Sequence, residues 1–286
     1  MRLCMRDRSL ALCAFLAMAA TSASAQQRPL ATEDPEPVGV GRILLEGGID
    51  LVHDQQYPVS GLRGNLVRVP TFGISFGLSS IAELQIDGAF YSGLNISQRN
   101  PSAPMASSVS ATGDSSHGVD DAVIATKVRI VPESAGRPAL GIRFATKLPN
   151  ASNGSGLDLN TTDFFVSILG AKTVQSVRTV GNLGVAILSD PTDGARQNDD
   201  LTYGLSVARA VTQQAEVVGE LNGRVSTRTG TAFPGTESRG LLKLGGRFTV
   251  GQLRLDAGLF FGLTSVDPTI GFTTGFTYVF TGFKVP

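Results

Sequence analysis

Eleven charged residues are the first candidates for function in this chain. Six are basic: Lys127, Arg129, Arg143, Lys147, Lys243 and Arg247. Five are acidic: Glu83, Asp87, Asp121, Glu216 and Glu220. Around them apolar residues occupy the alternate positions, as where Ala122, Ile124, Val128 and Ile130 oppose Asp121, Lys127 and Arg129. Successive side chains of a strand point to opposite faces, so this pattern gathers charge on one face and hydrocarbon on the other. Such a charged face has two uses. A basic wall opposite an acidic wall makes a transverse field that orients a polar solute and sets an anion preference. The same charges can instead pair with one another and fill the space between them.

A second kind of chemistry is offered by the two histidines. His53 adjoins Asp54, and His117 precedes Asp120 and Asp121. A histidine held by a carboxylate can act as a general base. Neighbours in a strand face opposite ways, however, so His53 and Asp54 do not cooperate by themselves. The two isolated histidines have no metal-ligand spacing, and no glycine-rich phosphate loop occurs. No cofactor, no metal and no enzymatic activity are therefore expected.

The elements that must present these residues are strands. The stretch Thr269–Thr281 sets Ile270, Phe272, Phe276, Tyr278 and Phe280 against Gly271, Thr273, Gly275 and Thr277. Period two over about a dozen residues fits a long strand with one greasy side and no single helix face. Twelve such strands are predicted, at 42–53, 62–77, 82–95, 119–131, 137–148, 161–174, 178–188, 200–210, 215–227, 238–250, 252–264 and 269–281. The second is the least regular, and Pro70 there calls for a bulge. Connections alternate between brief turns and longer loops, among them the Ser-, Pro- and Gly-rich run from Ser97 to His117. An even strand number with that alternation is the signature of a bacterial outer-membrane barrel.

The N-terminus agrees with that compartment. Arg2, Arg6 and Arg8 precede an apolar run from Leu10 to Ala20, and Ala23-Ser24-Ala25 offers a small-residue cleavage site. Residues 1–25 thus read as a signal peptide removed on secretion. Both cysteines, Cys4 and Cys13, fall inside it, so no disulfide or thiol chemistry is expected afterwards. From 24 basic and 24 acidic residues, removal of three Arg and one Asp leaves 21 against 23. That slightly acidic balance argues against nucleic acid as a partner. Residues 26–40, with Pro29, Pro35 and Pro37 among Glu33, Asp34 and Glu36, read as an irregular periplasmic segment or partial plug. Residues 41–286 then form one all-β domain, a single antiparallel transmembrane β-barrel of about 12 strands.

Five short motifs resemble a bacterial outer-membrane family named for the MetA pathway of phenol degradation. They are Gly118-Val119-Asp120-Asp121, Ala145-Thr146-Lys147-Leu148-Pro149, Tyr203-Gly204-Leu205, the run Val218 to Gly223, and the closing run Gly275 to Phe280. The resemblance covers most of the chain from about residue 80 onward. It implies a 12-stranded barrel that passes small, aromatic or hydrophobic solutes, and it does not imply an enzyme. Many such barrels end on an aromatic residue; here both Phe280 and Phe283 qualify as the assembly signal. The expected partners are outer-membrane lipid, the outer-membrane assembly machinery and a small-molecule solute. Two other readings stand beside the channel: a closed-lumen structural or surface-binding barrel, and, more remotely, a protease at the outer rim.

Overall fold

A computed structural model describes residues 28–284. The expected signal peptide lies outside the described residues. Twelve barrel strands follow in chain order. They are β1 (Arg42–Tyr57), β2 (Leu62–Gly77), β3 (Ala82–Ala89 and Ser92–Arg99) and β4 (Ser115–Gly118 and Val123–Val131). Next come β5 (Ala139–Lys147), β6 (Asp163–Val174), β7 (Val177–Ser189) and β8 (Gln197–Ala210). The last four are β9 (Ala215–Ser226), β10 (Arg239–Val250), β11 (Leu253–Gly262) and β12 (Ile270–Thr281). Each pairs antiparallel with the next. The sheet closes where β12 pairs with β1, from Arg42 opposite Thr281 to His53 opposite Ile270. Closure leaves no edge strand, which is what a sheet in lipid requires.

The faces follow the alternation. Leu201, Leu205 and Val207 of β8 point out and are exposed, whereas Asp200 and Ser206 on the other parity are buried. On β12, Phe272, Phe276 and Tyr278 face out while Thr273 and Thr277 are buried. The apolar side chains thus form the outer surface, and polar ones form the interior.

β1 runs on to Tyr57 and β8 begins at Gln197, beyond their predicted bounds, and two further strands depart from the sequence pattern more sharply. β3 runs on to Arg99, and β4 begins earlier, at Ser115. Both are interrupted at the same height, at 90–91 and 119–122. The intervening loop is accordingly shorter than the composition of 97–117 suggests, because His117 and its neighbours pair with Gly93 and Leu94 on β3. Between β1 and β2 the register shifts twice. One extra residue lies on β2 at Val69–Pro70, where proline cannot donate to a ladder. The other lies on β1 at His53–Asp54, where Asp54 takes a left-handed φ of 63°.

Replacing Leu205 with Arg places a charge on the hydrocarbon face near mid-strand. We expect a loss of about 2–4 kcal/mol in folding stability, measured by urea titration of refolding into vesicles. An unchanged midpoint would mean that the faces are assigned the wrong way round.

Candidate functional site: the lumen and its N-terminal segment

Residues 28–41 do not hang below the barrel. They run inside it, and three prolines without backbone donors keep them from joining the sheet. The polar groups of this segment are met by the polar groups of the wall. The Ala31 amide donates to Glu220 Oε1 at 2.9 Å, and the Thr32 amide and hydroxyl donate to the same carboxylate. Asn182 brackets Glu33, accepting from its amide at 2.6 Å and donating to its carbonyl at 2.8 Å. The Val38 amide donates to Glu83 Oε2 at 2.5 Å.

The segment's carboxylates meet cations. Glu33 pairs with Lys127 and with Arg143, both at 3.2 Å. Asp34 takes both sides of the Arg178 guanidinium, at 2.5 and 2.7 Å. Glu36 pairs with Arg129. At the other end, Arg28 donates to Thr71, Thr273 and the Thr274 carbonyl, and lies 3.5 Å from Asp256.

Glycines in the wall make the fit. A Cβ on Gly48 would lie 2.2 Å from Arg28 Nη2, and one on Gly77 would lie 1.7 Å from the Gly39 carbonyl oxygen. A side chain at Gly77 would exclude the segment's backbone, and one at Gly48 would displace the Arg28 guanidinium. A small apolar clamp of Val38, Leu44 and Val279 closes its lower end.

The charged residues singled out above therefore interleave instead of standing as two facing walls. Lys127 and Glu83 are opposite one another on β4 and β3 and pair at 2.9 Å with no solvent exposure. Arg143 lies 3.6 Å from Asp87, and Lys147 lies 3.5 Å from Asp121 and 3.0 Å from Asp163. Lys243 is 3.5 Å from Glu220, and Arg247 is 3.8 Å from Glu216. Arg247 also donates to the Arg28 carbonyl at 2.7 Å. The cause is register. Glu216 faces Arg247 and Glu220 faces Lys243 across the β9–β10 ladder, so neighbouring strands neutralise each other before a field can develop across the lumen.

Above the segment the lumen is open. A cavity of about 560 Å³ lies between the segment and the longer loops, lined in part by Val52, Leu66, Leu241, Phe260, Tyr203 and Asn182. A second, of about 430 Å³, lies against the loops and shares Tyr57, Arg68, Leu157, Asp158, Arg224 and Arg239 with the first. Here the interior turns apolar: Val52, Leu62, Leu66, Leu94, Leu157 and Phe260 form one buried cluster. Pattern reading missed this patch. Its signal was present at the outer ends of β1 to β3, where apolar residues occupy both parities at once, as in Leu51 and Val52 or Leu66 and Val67.

Two arginines directly opposite each other, Arg224 on β9 and Arg239 on β10, also line both cavities. Like charges at such a pair repel unless compensated. Asp200 lies 3.3 Å from Arg224 and Asp267 lies 3.9 Å from Arg239.

The histidines join no reactive arrangement with the carboxylates beside them. His53 Nδ1 is bonded to Asn65 Oδ1 at 2.8 Å, while Asp54 pairs with Arg63 and accepts from Thr269. The His117 ring stacks on Tyr91, 6.3 Å between centroids. Asp120 instead bonds Ser92 and Arg68 and lines the cavity. Among the described residues, no group of three or more His, Cys, Asp or Glu side chains could hold a metal ion.

The loop 148–162 covers the second cavity. Its Asp158 accepts from the Asp121 amide at 2.8 Å and stands beside the Asp121 carboxyl. Burial first, and then that neighbouring acid, push the Asp158 carboxyl up to about 7 from the ordinary 3.8.

A closed 12-stranded antiparallel barrel with an apolar exterior and a polar interior defines the class: the β-barrels of bacterial outer membranes. Among solved structures, the chain is similar to an outer-membrane channel from Pseudomonas putida F1. The TM-score is 0.63 at 12% identity, covering 88% of this chain and all of the other. It is also similar to the translocator domain of the autotransporter NalP from Neisseria meningitidis. Here the TM-score is 0.51 at 12% identity, covering 95% of this chain and 97% of the other. At such identities the likeness is one of fold. No family model and no curated protein matches the sequence.

Two outcomes follow from these contacts. Lys127→Met would leave Glu83 and Glu33 buried without their cation. The expected loss is about 3–5 kcal/mol in urea unfolding, since a stranded buried charge is costly. For Asp158, the folded state holds its proton more tightly than the unfolded chain. Stability therefore falls as pH rises from the ordinary value of 3.8 to about 7, and levels off above. Asp158→Asn should flatten that slope in unfolding midpoints taken between pH 4 and about 8.

Proposed function

We propose that the chain is a passive outer-membrane channel for small aromatic or hydrophobic solutes. Its resting form is plugged from within by the N-terminal segment. The observation that carries this reading is the lumen cavity of about 560 Å³, half apolar and half polar, which ends below on residues 28–41. A barrel whose interior served structure alone would have no reason to keep that volume unfilled, because close packing stabilises.

The plug is held chiefly by hydrogen bonds and ion pairs. Such contacts can be exchanged for water, whereas a wedge of buried hydrocarbon cannot be withdrawn so cheaply. In this reading Lys127, Arg129 and Arg143 anchor the segment and do not select anions. Glu83 and Glu220 serve the same end by accepting its backbone amides. The similar fold of the Pseudomonas putida outer-membrane channel supports a channel role. The solute class rests on the apolar lining of the upper cavity and on the motifs described first.

A second reading keeps the lumen permanently closed, with the barrel serving as a structural or surface-binding unit. Planar-bilayer recording separates the two. We expect the chain from Gln26 to show small or intermittent conductance, and the same chain without residues 26–40 to show a steady and larger one. If the shortened barrel folds, as judged by heat-modifiable migration, and remains silent, the channel reading fails.

A further inference from the structure

The two lumen cavities meet at a neck, marked by the residues that line both. Arg68 on β2, Arg224 on β9 and Arg239 on β10 bring three positive charges to it. One acid is shared as well, Asp158 from the loop after β5. Tyr57 of β1 and Phe165 of β6 stand among these charged groups. A solute moving from the loops toward the plug passes between them.

The aromatic residues there are out of keeping with a polar interior. On β6 the alternation sends Phe164, Val166 and Ile168 outward, and all three are exposed. Phe165 is on the other parity and faces in. Tyr57 packs against the buried apolar cluster. The neck thus sets aromatic rings beside guanidinium groups, whereas charge in the lower lumen meets charge.

The acids that balance the opposed arginines lie behind them. The side chains of Asp200 and Asp267 are 0% and 2% exposed, while those of Arg224 and Arg239 keep 21% and 28%. Arg224 is tied to the wall, donating from Nε to the Glu237 carbonyl at 3.0 Å and from Nη2 to the Gly235 carbonyl at 2.8 Å. Arg239 is held far less. Among the described residues its side chain makes no hydrogen bond, and its ion pair with Asp267 is a loose 3.9 Å. Asp267 is engaged elsewhere, its Oδ2 accepting from the Gly240 amide and from the amide and hydroxyl of Thr264. Asp158 does not fill the place either. Its two oxygens accept from the Asp121 and Leu159 amides, and among the described residues it forms no ion pair.

A guanidinium presents its five donors as a rigid fork that matches a carboxylate. Arg239 has that fork free, and Arg224 stands directly opposite it on the ladder. A carboxylate between the two would also relieve their mutual repulsion. The recessed acids keep the net charge of the neck low, so a singly charged head suits it better than a phosphate dianion.

We propose that the neck selects carboxylates that carry an apolar body. Arg239 and Arg224 hold the carboxylate, Tyr57 and Phe165 flank the body, and its far end lies on Val52, Leu66 and Phe260 in the cavity below. The inference deepens the channel reading and rests on it, narrowing the solute from any small hydrophobic compound to an acid.

Phenylbutyrate and phenylbutanol test this, because they share one body and differ in charge. Their binding is measured by equilibrium dialysis against the chain from Gln26 refolded in lipid nanodiscs, with empty nanodiscs subtracted for partitioning. We expect the acid to bind about tenfold more tightly than the alcohol, the scale of a charge-assisted hydrogen bond. Arg239→Gln should cost the acid about that factor and leave the alcohol unchanged, and Arg239→Lys should recover part of the loss. Arg209→Gln, which removes an exposed cation at the lower end of β8, should alter neither. Heat-modifiable migration establishes that each variant is folded. Equal affinity for acid and alcohol in the unaltered chain overturns the proposal, as does an Arg239→Gln barrel that holds the acid as tightly as before. Flux of the two compounds into liposomes separates this inference from the channel reading. Arginine-dependent binding of the acid without protein-dependent flux keeps the site and sinks the channel, whereas flux of both compounds without preference for the acid keeps the channel and sinks the site.

Discussion

Lipid offers no hydrogen bonds, and every other feature of this molecule depends on that. Backbone groups must be paired within the sheet, so the sheet must close, and β12 returns to β1 over twelve matched residues. Side chains must sort by polarity, so Leu, Val, Ile and Phe turn outward and the charges turn in. A charge turned inward from both sides of a narrow lumen then needs a partner. Lys127 finds Glu83 across the ladder and Glu33 on the segment within. The N-terminal segment is thus part of the same solution: its acids and amides complete a lumen that the wall leaves incompletely satisfied.

Much of this was legible in the chain. Period-two alternation in stretches such as 137–148 and 269–281 needs no tertiary information, because the contrast between lipid and lumen is written at every residue. The two features read less well are those set by contacts distant in sequence. Pro29, Pro35 and Pro37 make residues 26–40 read as irregular, but only Asn182, Glu220 and Arg178, all far along the chain, place residues 28–40 inside the barrel. In the same way the alternation groups the basic and acidic residues by sign and parity alone. Which of them face each other depends on strand register, and register follows from closure. The break at 119–122 looked like ordinary strand, since Asp121 and Ala122 keep the alternation of 123–131, although Val119 and Asp120 are out of phase with it.

The upper and lower halves of the lumen have different chemistry. The lower half is dense with compensated charge and filled by the segment. The upper half holds space, an apolar cluster, and the opposed pair Arg224 and Arg239. A solute arriving between the loops would meet hydrocarbon and guanidinium groups before it met the plug. Weak multiple contacts of this kind suit passage, which requires that binding permit release.

Residues 28–41 occupy the lumen, and in the function proposed here they also control it. Gly204 on β8 offers a direct test, because a Cβ there would lie 3.5 Å from Thr32 Cβ, well placed for a disulfide. The measurement is bilayer conductance of the Thr32→Cys, Gly204→Cys barrel before and after reduction. We expect the disulfide to form without added oxidant during assembly, conductance to stay low while it holds, and a larger, fluctuating conductance once it is reduced. Two free, rapidly labelled thiols, or a conductance indifferent to reduction, would contradict it.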